Sequence, residues 1–404
     1  MSQKLYILIA NNIYPPIMAG GAELIVQYLA EGLVGQGHKV TVVSTCGPDM
    51  EPYPVEVRNG VEVIRFFPKN FYWHWTRGER PGYQKALWHM RDAWNRDAGR
   101  RFKFILSGHK PDILHTHLID GFSAILWRRA HEQRIPVIHT AHDYHLLCPR
   151  SMMLDRSLKL CTDPQLACRA FRAWHLRTTR DVAIFCSPSQ FLIDQHKKAG
   201  LAVKHMAVVP NGIPLPQTLQ QAKDKTAPCR FLFAARLTAE KGCQVVLDAV
   251  KLMPPDLEFE LCIAGKGAFD EAFKQAAASD ARIQFLGYIQ GEEKTRAFRS
   301  ADCLLLPSLW YENAPVIIVE AAAYGIGVIG SNIGAIPEFI HEGENGLLFE
   351  PGNPQSLAAS MQRMIKERIL QDRFAENAQP MIERHSVERM VNAYTAQYMH
   401  ALTV

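Results

Sequence analysis

The strongest constraint on the fold of this chain is a repeated alternation of short apolar runs with stretches of helical spacing. Residues 5–10, 39–44, 61–67, 113–116, 137–140 and 183–187 are rich in Val, Ile and Leu and end at turn residues. Near-continuous apolarity over so few residues fits strands buried on both faces. Between several of them lie helical patterns, such as 22–35 and 121–133. Strands alternating with helices predict a parallel sheet covered by helices on both sides.

The alternation pauses at residues 209–230, where four prolines and a polar stretch interrupt it. It restarts with strands expected at 231–235, 259–264, 283–286, 303–306 and 328–330, and a helix from about Gly242. The 404 residues exceed one ordinary domain and suit two of roughly 150 to 250 residues. The reading is therefore two α/β domains, residues 1–215 and 216–382, joined by a Pro-rich hinge, with a closing segment 383–404 whose helix spans 386–402.

Charge and cysteine usage narrow the class. Lys and Arg number 45 against 40 Asp and Glu, a net +5 that gives no support for a nucleic-acid binder. The nine cysteines are scattered, with no Cys-x-x-Cys pair, as expected of reduced thiols in a cytoplasmic chain. The first apolar run is too short for a secretory signal. The apolar stretch 314–330 carries Glu320 and three glycines, so it reads as a buried helix and strand, not a membrane span.

In parallel α/β sheets ligands sit beyond the carboxyl ends of the strands, so the loops after each strand carry the candidate chemistry. After the first strand come Gly20-Gly21-Ala22-Glu23 and then a helix. Paired glycines let backbone N–H groups approach a phosphate at a helix N-terminus, although a tight turn has the same need. No Gly-x-Gly-x-x-Gly fingerprint is present, which argues against an NAD-dependent dehydrogenase. The strand 231–235 is followed by Arg236 and, at the start of the next helix, Lys241. These suit a diphosphate or are solvated surface charges.

The sharpest signal runs from Tyr311-Glu312-Asn313-Ala314-Pro315 to Glu320. Pro315 suits a first helical turn and Gly325 a C-terminal cap. Glu312 then lies at the helix entrance and Glu320 inside an otherwise apolar helix, where a carboxylate is costly unless paired. Helical rise separates the two acids by at most ~12 Å, the span from sugar to ribose in a nucleotide sugar. A structural ion pair plus a capping acid gives the same pattern. Further back, the strand 137–140 ends in Ala141-His142-Asp143-Tyr144. A histidine there can offer an N–H to a reacting oxygen or serve a structural role.

Taken in order, Gly20-Gly21-Ala22-Glu23, His142-Asp143, Arg236 with Glu240-Lys241-Gly242, and Glu312 with Glu320 resemble the retaining nucleotide-sugar glycosyltransferases with two Rossmann-like domains, the GT-B fold. Within these the chain is similar to the family-four type that includes bacterial mannosyl- and glucosyltransferases. The resemblance runs from about residue 5 to 355. It implies a donor in an interdomain cleft, its diphosphate between the Gly20-Gly21 loop and Arg236 with Lys241. It places Glu312, with the backbone at Asn313 and Ala314, on the transferred sugar, Glu320 on the ribose, and the segment around Tyr288 near the base. His142 would stand close to the anomeric centre, so His142, Glu312, Arg236 and Lys241 are the expected catalytic set. The resemblance further implies no metal or other cofactor, a final helix crossing back to the first domain, and a UDP- or GDP-linked hexose as donor. The acceptor would be a glycan or lipid-linked molecule, in cell-envelope polysaccharide synthesis. Two departures stand out: Ala235-Arg236 where many relatives have Gly-Arg, and Glu312-Asn313-Ala314-Pro315 where Glu-Gly-Phe-Gly is usual. A nucleotide-sugar epimerase does not account for Arg236 and Lys241 together with the two glutamates. A catalytically silent nucleotide-sugar-binding subunit does not account for His142 and Glu312.

Two stretches lie beyond these motifs. Residues 65–104 hold ten Lys/Arg, three Asp/Glu and eleven aromatics. That composition suits an anionic membrane surface or lipid-diphosphate acceptor, or a segment whose aromatics pack inward. Cys148, Cys161 and Cys168 lie near several histidines, but their spacing matches no standard zinc site.

Overall fold

The computed structural model describes residues 3–17, 20–51, 53–76, 80–155, 157–214 and 226–404. The chain divides into two compact units, one formed by Met1–Met153, Thr162–Pro214 and Ser386–Val404, the other by Leu154–Cys161 and Leu215–His385. The boundary expected at 215/216 lies outside the described residues.

The first unit is built on an eight-stranded sheet: β1 (Tyr6–Ala10), β2 (Lys39–Thr45), β3 (Glu56–Arg58), β4 (Val61–Phe66), β5 (Ile113–Thr116), β6 (Val137–Thr140), β7 (Ile184–Ser187) and β8 (His205–Val208). Their spatial order is β3-β4-β2-β1-β5-β6-β7-β8, and every neighbouring pair is parallel except β3–β4. The central strands are apolar on both faces because helices cover both, as a parallel sheet demands. Thus Ile7, Leu8 and Ile9 of β1 and Ile113 and Leu114 of β5 are fully buried. The strand order reverses direction beside β1, so the loops after β1, β5 and β6 converge at one edge.

Two helices pack against each other in this unit. Gly21–Gly35 buries Ile25, Val26, Leu29, Ala30 and Leu33 along one stripe. The closing helix Val387–Ala401 is capped by the Ser386 side chain, which accepts from the Arg389 N–H at 3.2 Å, and buries Met390, Val391, Tyr394 and Tyr398. A Cβ on Gly32 would lie 2.6 Å from Val391 Cγ2, so the crossing requires glycine there.

The second unit has a six-stranded, wholly parallel sheet: β9 (Cys229–Arg236), β10 (Phe259–Lys266), β11 (Ile283–Gly287), β12 (Cys303–Leu306), β13 (Gly327–Ser331) and β14 (Gly346–Phe349). Its order is β11-β10-β9-β12-β13-β14. Phe231, Phe233, Leu261, Ile263, Leu305 and Ile329 point to one face and form a core with the helices Cys243–Lys251 and Pro354–Lys366. Both units are therefore Rossmann-like α/β domains. Among the described residues no helix is long and apolar enough to cross a membrane.

Candidate active site

In the second unit the site begins where β9 and β12 end. The segment Ala239–Lys241 forms one 3-10 turn, and Gly242 then takes φ +77°, which lets the next helix start at Cys243. A Cβ on Gly242 would fall 1.9 Å from the Pro307 carbonyl oxygen, so only glycine lets this turn press against the loop after β12. The Leu309 N–H donates to the Glu240 carbonyl at 2.8 Å and joins the two loops.

This arrangement delivers Lys241 to Glu312. The Lys241 Nζ is 2.6 Å from Glu312 Oε1, and the side chains are only 16% and 8% exposed. The same oxygen accepts from the Ser308 hydroxyl at 2.6 Å and from the Trp310 indole N–H at 2.8 Å. All three donors converge on Oε1. Lys241 also lies over the Trp310 ring, 5.0 Å from its centroid. Burial pushes the Glu312 carboxyl up, but the Lys241 charge and the three hydrogen bonds outweigh it and hold the group below its ordinary value. The backbone is fixed too: the Glu312 carbonyl accepts from the Ala335 N–H at 2.8 Å, and Gly334, at φ +62°, packs against it.

The remaining expected donor residues of this unit are placed as follows. Asn313 is buried and Ala314 half-buried. Pro315 is the N-cap of the helix Val316–Ala323, one residue earlier than first-turn placement, and Gly325 follows its end at φ +66°. Glu320 is not the sealed acid its apolar helix suggests: its side chain is 29% exposed and bonded to Lys294 Nζ at 2.7 Å. The helix Gly291–Ser300 supplies that lysine. Arg236 closes β9 with a side chain 68% exposed, 3.9 Å from Glu240. Tyr288, just after β11, is also exposed.

In the first unit Gly20 is the N-cap of the helix Gly21–Gly35. Its N–H donates to Glu23 Oε2 at 2.9 Å, so a buried carboxylate of the chain itself takes up one helix-end donor. Burial raises the Glu23 pKa. A side chain on Gly21 would meet nothing within 4 Å. Met18 and Ala19 of this loop lie outside the described residues.

His142 follows β6 and is half-buried. Its Nε2 is 2.9 Å from His117 Nδ1, at the end of β5. Burial lowers its pKa to about 4, so the ring is neutral near pH 7. The neighbouring Asp143 carboxyl accepts from the His145 N–H at 2.8 Å, yet burial and the Asp120 and Glu23 charges push its pKa up to about 7. Asp120 in turn accepts from the Asn12 side chain at 2.8 Å, in the loop after β1. Burial thus leaves a neutral imidazole and a half-titrated carboxyl at one sheet edge.

Ser308, Trp310, Lys294, Gly334 and His117 escaped the sequence reading. The available signals were the tryptophan two residues before Glu312 and the His-Thr-His end of β5. Among the described residues no three His, Cys, Asp or Glu side chains are grouped to hold a metal ion, Cys148, Cys161 and Cys168 included.

The basic segment 65–104 divides. Trp88, Phe102 and Phe66 pack inward, whereas Phe71, Tyr83, Leu87, Met90 and Phe104 are exposed. Arg77, Gly78 and Glu79 lie outside the described residues.

The two halves of the chain match known protein families. The model for Glycosyltransferase Family 4 matches residues 19–216, and that for Glycosyl transferases group 1 matches residues 217–381. An uncharacterized 42.6 kDa protein in the cps region of Klebsiella pneumoniae is 30% identical over 341 residues, 82% of this chain and 86% of that protein. Sucrose-phosphate synthase from Thermosynechococcus elongatus superposes with a TM-score of 0.77 at 16% identity, over 99% of this chain and 100% of that one. The Anabaena protein Alr3699/HepE in complex with UDP-glucose does so with a TM-score of 0.68 at 18% identity, over 98% of this chain and 100% of that one.

Proposed function

The chain belongs to the glycosyltransferases that join a Family 4 half to a group 1 half, and from that premise we propose that it is a retaining hexosyltransferase. Its donor is a UDP- or GDP-linked hexose, and its acceptor a glycan or lipid-linked molecule of cell-envelope polysaccharide synthesis. The observation that carries the reading is the Glu312 carboxylate, ionised in a buried site with one oxygen tied by three donors. Such a group orients sugar hydroxyls rather than attacking carbon. The UDP-glucose bound by the Anabaena protein supports a nucleotide-sugar donor.

In this reading Arg236 and Lys241 neutralise the departing diphosphate, the place where negative charge develops. Lys241 has further N–H groups beyond the one given to Glu312. Glu320 accepts from the ribose, Tyr288 lies by the base, and the Asn313 and Ala314 backbone borders the sugar. Gly20 and Gly21 keep the helix entrance beside the phosphates clear of side chains, although the Gly20 N–H itself is given to Glu23. The anomeric C–O bond to phosphate breaks while the acceptor oxygen bonds the same face. The acceptor proton passes to the leaving phosphate, and His142 donates an N–H to the reacting sugar or phosphate. No metal is assigned a part. The test is release of nucleoside diphosphate from a UDP- or GDP-hexose with a glycan acceptor, with the product anomer read by NMR. Glu312→Gln should lower kcat at least about 100-fold; an inverted product, or full activity in that variant, contradicts the reading.

The finer proposal about membrane contact rests on the helix Gly82–Ala93. Tyr83, Leu87 and Met90 are 66%, 43% and 73% exposed at i, i+4 and i+7, one solvent-facing stripe. Lys85 and Arg91 flank it, and the packed helix Leu166–Thr178 adds exposed Leu166 and Trp174. An apolar stripe edged with cations suits an anionic bilayer.

A further inference from the structure

His142 does not stand alone at the end of β6. Its ring stacks on that of His117, with centroids 5.1 Å apart and planes 22° apart, and Nε2 of His142 meets Nδ1 of His117 at 2.9 Å. His117 is 1% exposed, and its backbone N–H is tied to the Ala10 carbonyl at 2.9 Å. Its far nitrogen, Nε2, is buried without a hydrogen-bond partner. Behind it lies His115, ring centroid 4.1 Å away, whose Nδ1 and Nε2 sit 2.8 Å from the Tyr398 hydroxyl and the Thr140 hydroxyl. Thr140 also meets the Tyr394 hydroxyl at 3.1 Å, so the closing helix braces the shelf from below. Burial holds all three imidazoles in the neutral form.

A neutral imidazole has one N–H, and a contact between two ring nitrogens uses one proton. The tautomers of His117 and His142 are therefore tied together. If His142 donated from Nε2, the single proton of His117 would sit on Nε2, a buried N–H with no acceptor. Orphaned buried donors are the rarest kind of unsatisfied group. If His117 donates from Nδ1, the orphan is a bare lone pair. The proton of His142 then sits on Nδ1, the nitrogen that His117 leaves uncovered on a half-buried ring.

We propose that His117 is a positioning residue that donates its Nδ1–H to Nε2 of His142 and so fixes His142 as the Nδ1–H tautomer, presenting a donor to the sugar phosphate. The catalytic consequence rests on the role given to His142 above; the tautomer itself does not. Without His117 the His142 ring is free to place its proton on Nε2 and turn a bare lone pair toward the anionic group.

Long-range proton–nitrogen correlation spectra of the full chain labelled with nitrogen-15 histidine test this at pH 7.5. The His142 signals are assigned by their loss in His142→Gln. The wild type should show His142 protonated at Nδ1 and bare at Nε2. His117→Phe, which keeps the stacked ring and removes both nitrogens, should shift His142 toward the other tautomer and lower kcat at least tenfold with little change in KM for the donor. His117→Asn, whose amide N–H can stand in for the Nδ1 donor, should restore the wild-type tautomer and most of kcat. A wild-type His142 protonated at Nε2 overturns the proposal, and so does an unchanged tautomer in His117→Phe. A shifted tautomer with unchanged kcat upholds the lock and overturns the role given to His142. The wild-type spectrum decides the proton's position even where a His117 variant fails to fold.

Discussion

Removing Lys241 should destabilise the second unit, and the loss should depend on pH in a direction fixed by Glu312. At 2.6 Å the two charges attract by roughly 6 kcal/mol at an effective dielectric constant of about 20. Desolvation of both groups offsets much of that attraction, so the informative quantity is the cost of stranding the acid. Removing one partner of a buried pair typically costs about 3–5 kcal/mol. Ser308 and Trp310 still donate to Glu312 in Lys241→Met, so about 3 kcal/mol is expected at pH 7.5. That corresponds to a lowering of Tm by roughly 6–12 °C for a domain of this size.

The pH dependence follows from linkage. In the wild type the folded-state pKa of Glu312 is lowered, so its contribution is present above the unfolded value of 4.5 and is lost as pH falls through the folded value. In Lys241→Met the largest lowering influence is gone and burial dominates, so the folded-state pKa rises above the unfolded one. Protonation then relieves the stranded charge, and the variant should recover toward wild type as pH is lowered from 7.5 to 5. Glu312→Gln in the Lys241→Met background should recover most of the loss at both pH values. Urea unfolding followed by circular dichroism at the two pH values is the assay. A deficit that is the same at pH 5 and 7.5, or that grows on acidification, refutes the reasoning.

Other predictions follow from the same geometry. Gly242→Ala forces a Cβ to 1.9 Å from the Pro307 carbonyl oxygen at φ +77°, so it should cost more than about 3 kcal/mol and lower Tm sharply in calorimetry. Asp143→Asn should stabilise the chain at pH 8, and at pH 5 by only a fraction as much, because there the penalty on the carboxylate has begun to accrue but is far from complete. The folded-state pKa of Asp143 is raised to about 7, so the wild-type carboxyl becomes a liability as pH climbs from its unfolded value toward and past 7. Because that side chain is half-buried, water relieves part of the penalty, and about 1–2 kcal/mol is expected in urea titrations. Replacing Tyr83, Leu87 and Met90 by Ser should abolish sedimentation with anionic liposomes while leaving thermal stability within about 0.5 kcal/mol per site. Salt-insensitive or absent binding of the wild type contradicts the membrane proposal.

The fold was largely legible because each central strand is buried on both faces and so reads as an uninterrupted apolar run. Residues 113–116, 137–140 and 303–306 coincide with β5, β6 and β12. The edges were not legible. β3 is a three-residue antiparallel strand, and β8 is half-buried along its length, so neither carries a two-sided apolar signature. β14 was hidden by its own brevity and by the turn at Gly343. In the site, Glu312 and Glu320 were visible as acids in an apolar setting, but their partners were not. Ser308, Trp310 and Lys294 reach them through loop geometry and through a separate helix, which spacing along the chain does not encode. An apolar helix suggests an acid enclosed on all sides, whereas Lys294 meets Glu320 at a partly open face.

The central claim is that the second unit grips a nucleoside-diphosphate sugar through Arg236, Lys241, Glu312 and Glu320. Thermal denaturation against a panel of UDP-, GDP- and ADP-sugars, without added metal, tests it most directly, because a ligand that binds only the folded chain raises Tm by mass action. One nucleotide class should raise Tm selectively, by the equivalent of about 2.7 kcal/mol at a hundredfold excess over Kd. The shift should shrink in Arg236→Ala and Glu320→Ala. Arg236 is largely exposed, so its loss should leave the unliganded Tm nearly unchanged. If no sugar nucleotide, nor UDP or GDP alone, moves the midpoint, or if both variants respond as the wild type does, the account of this site is wrong.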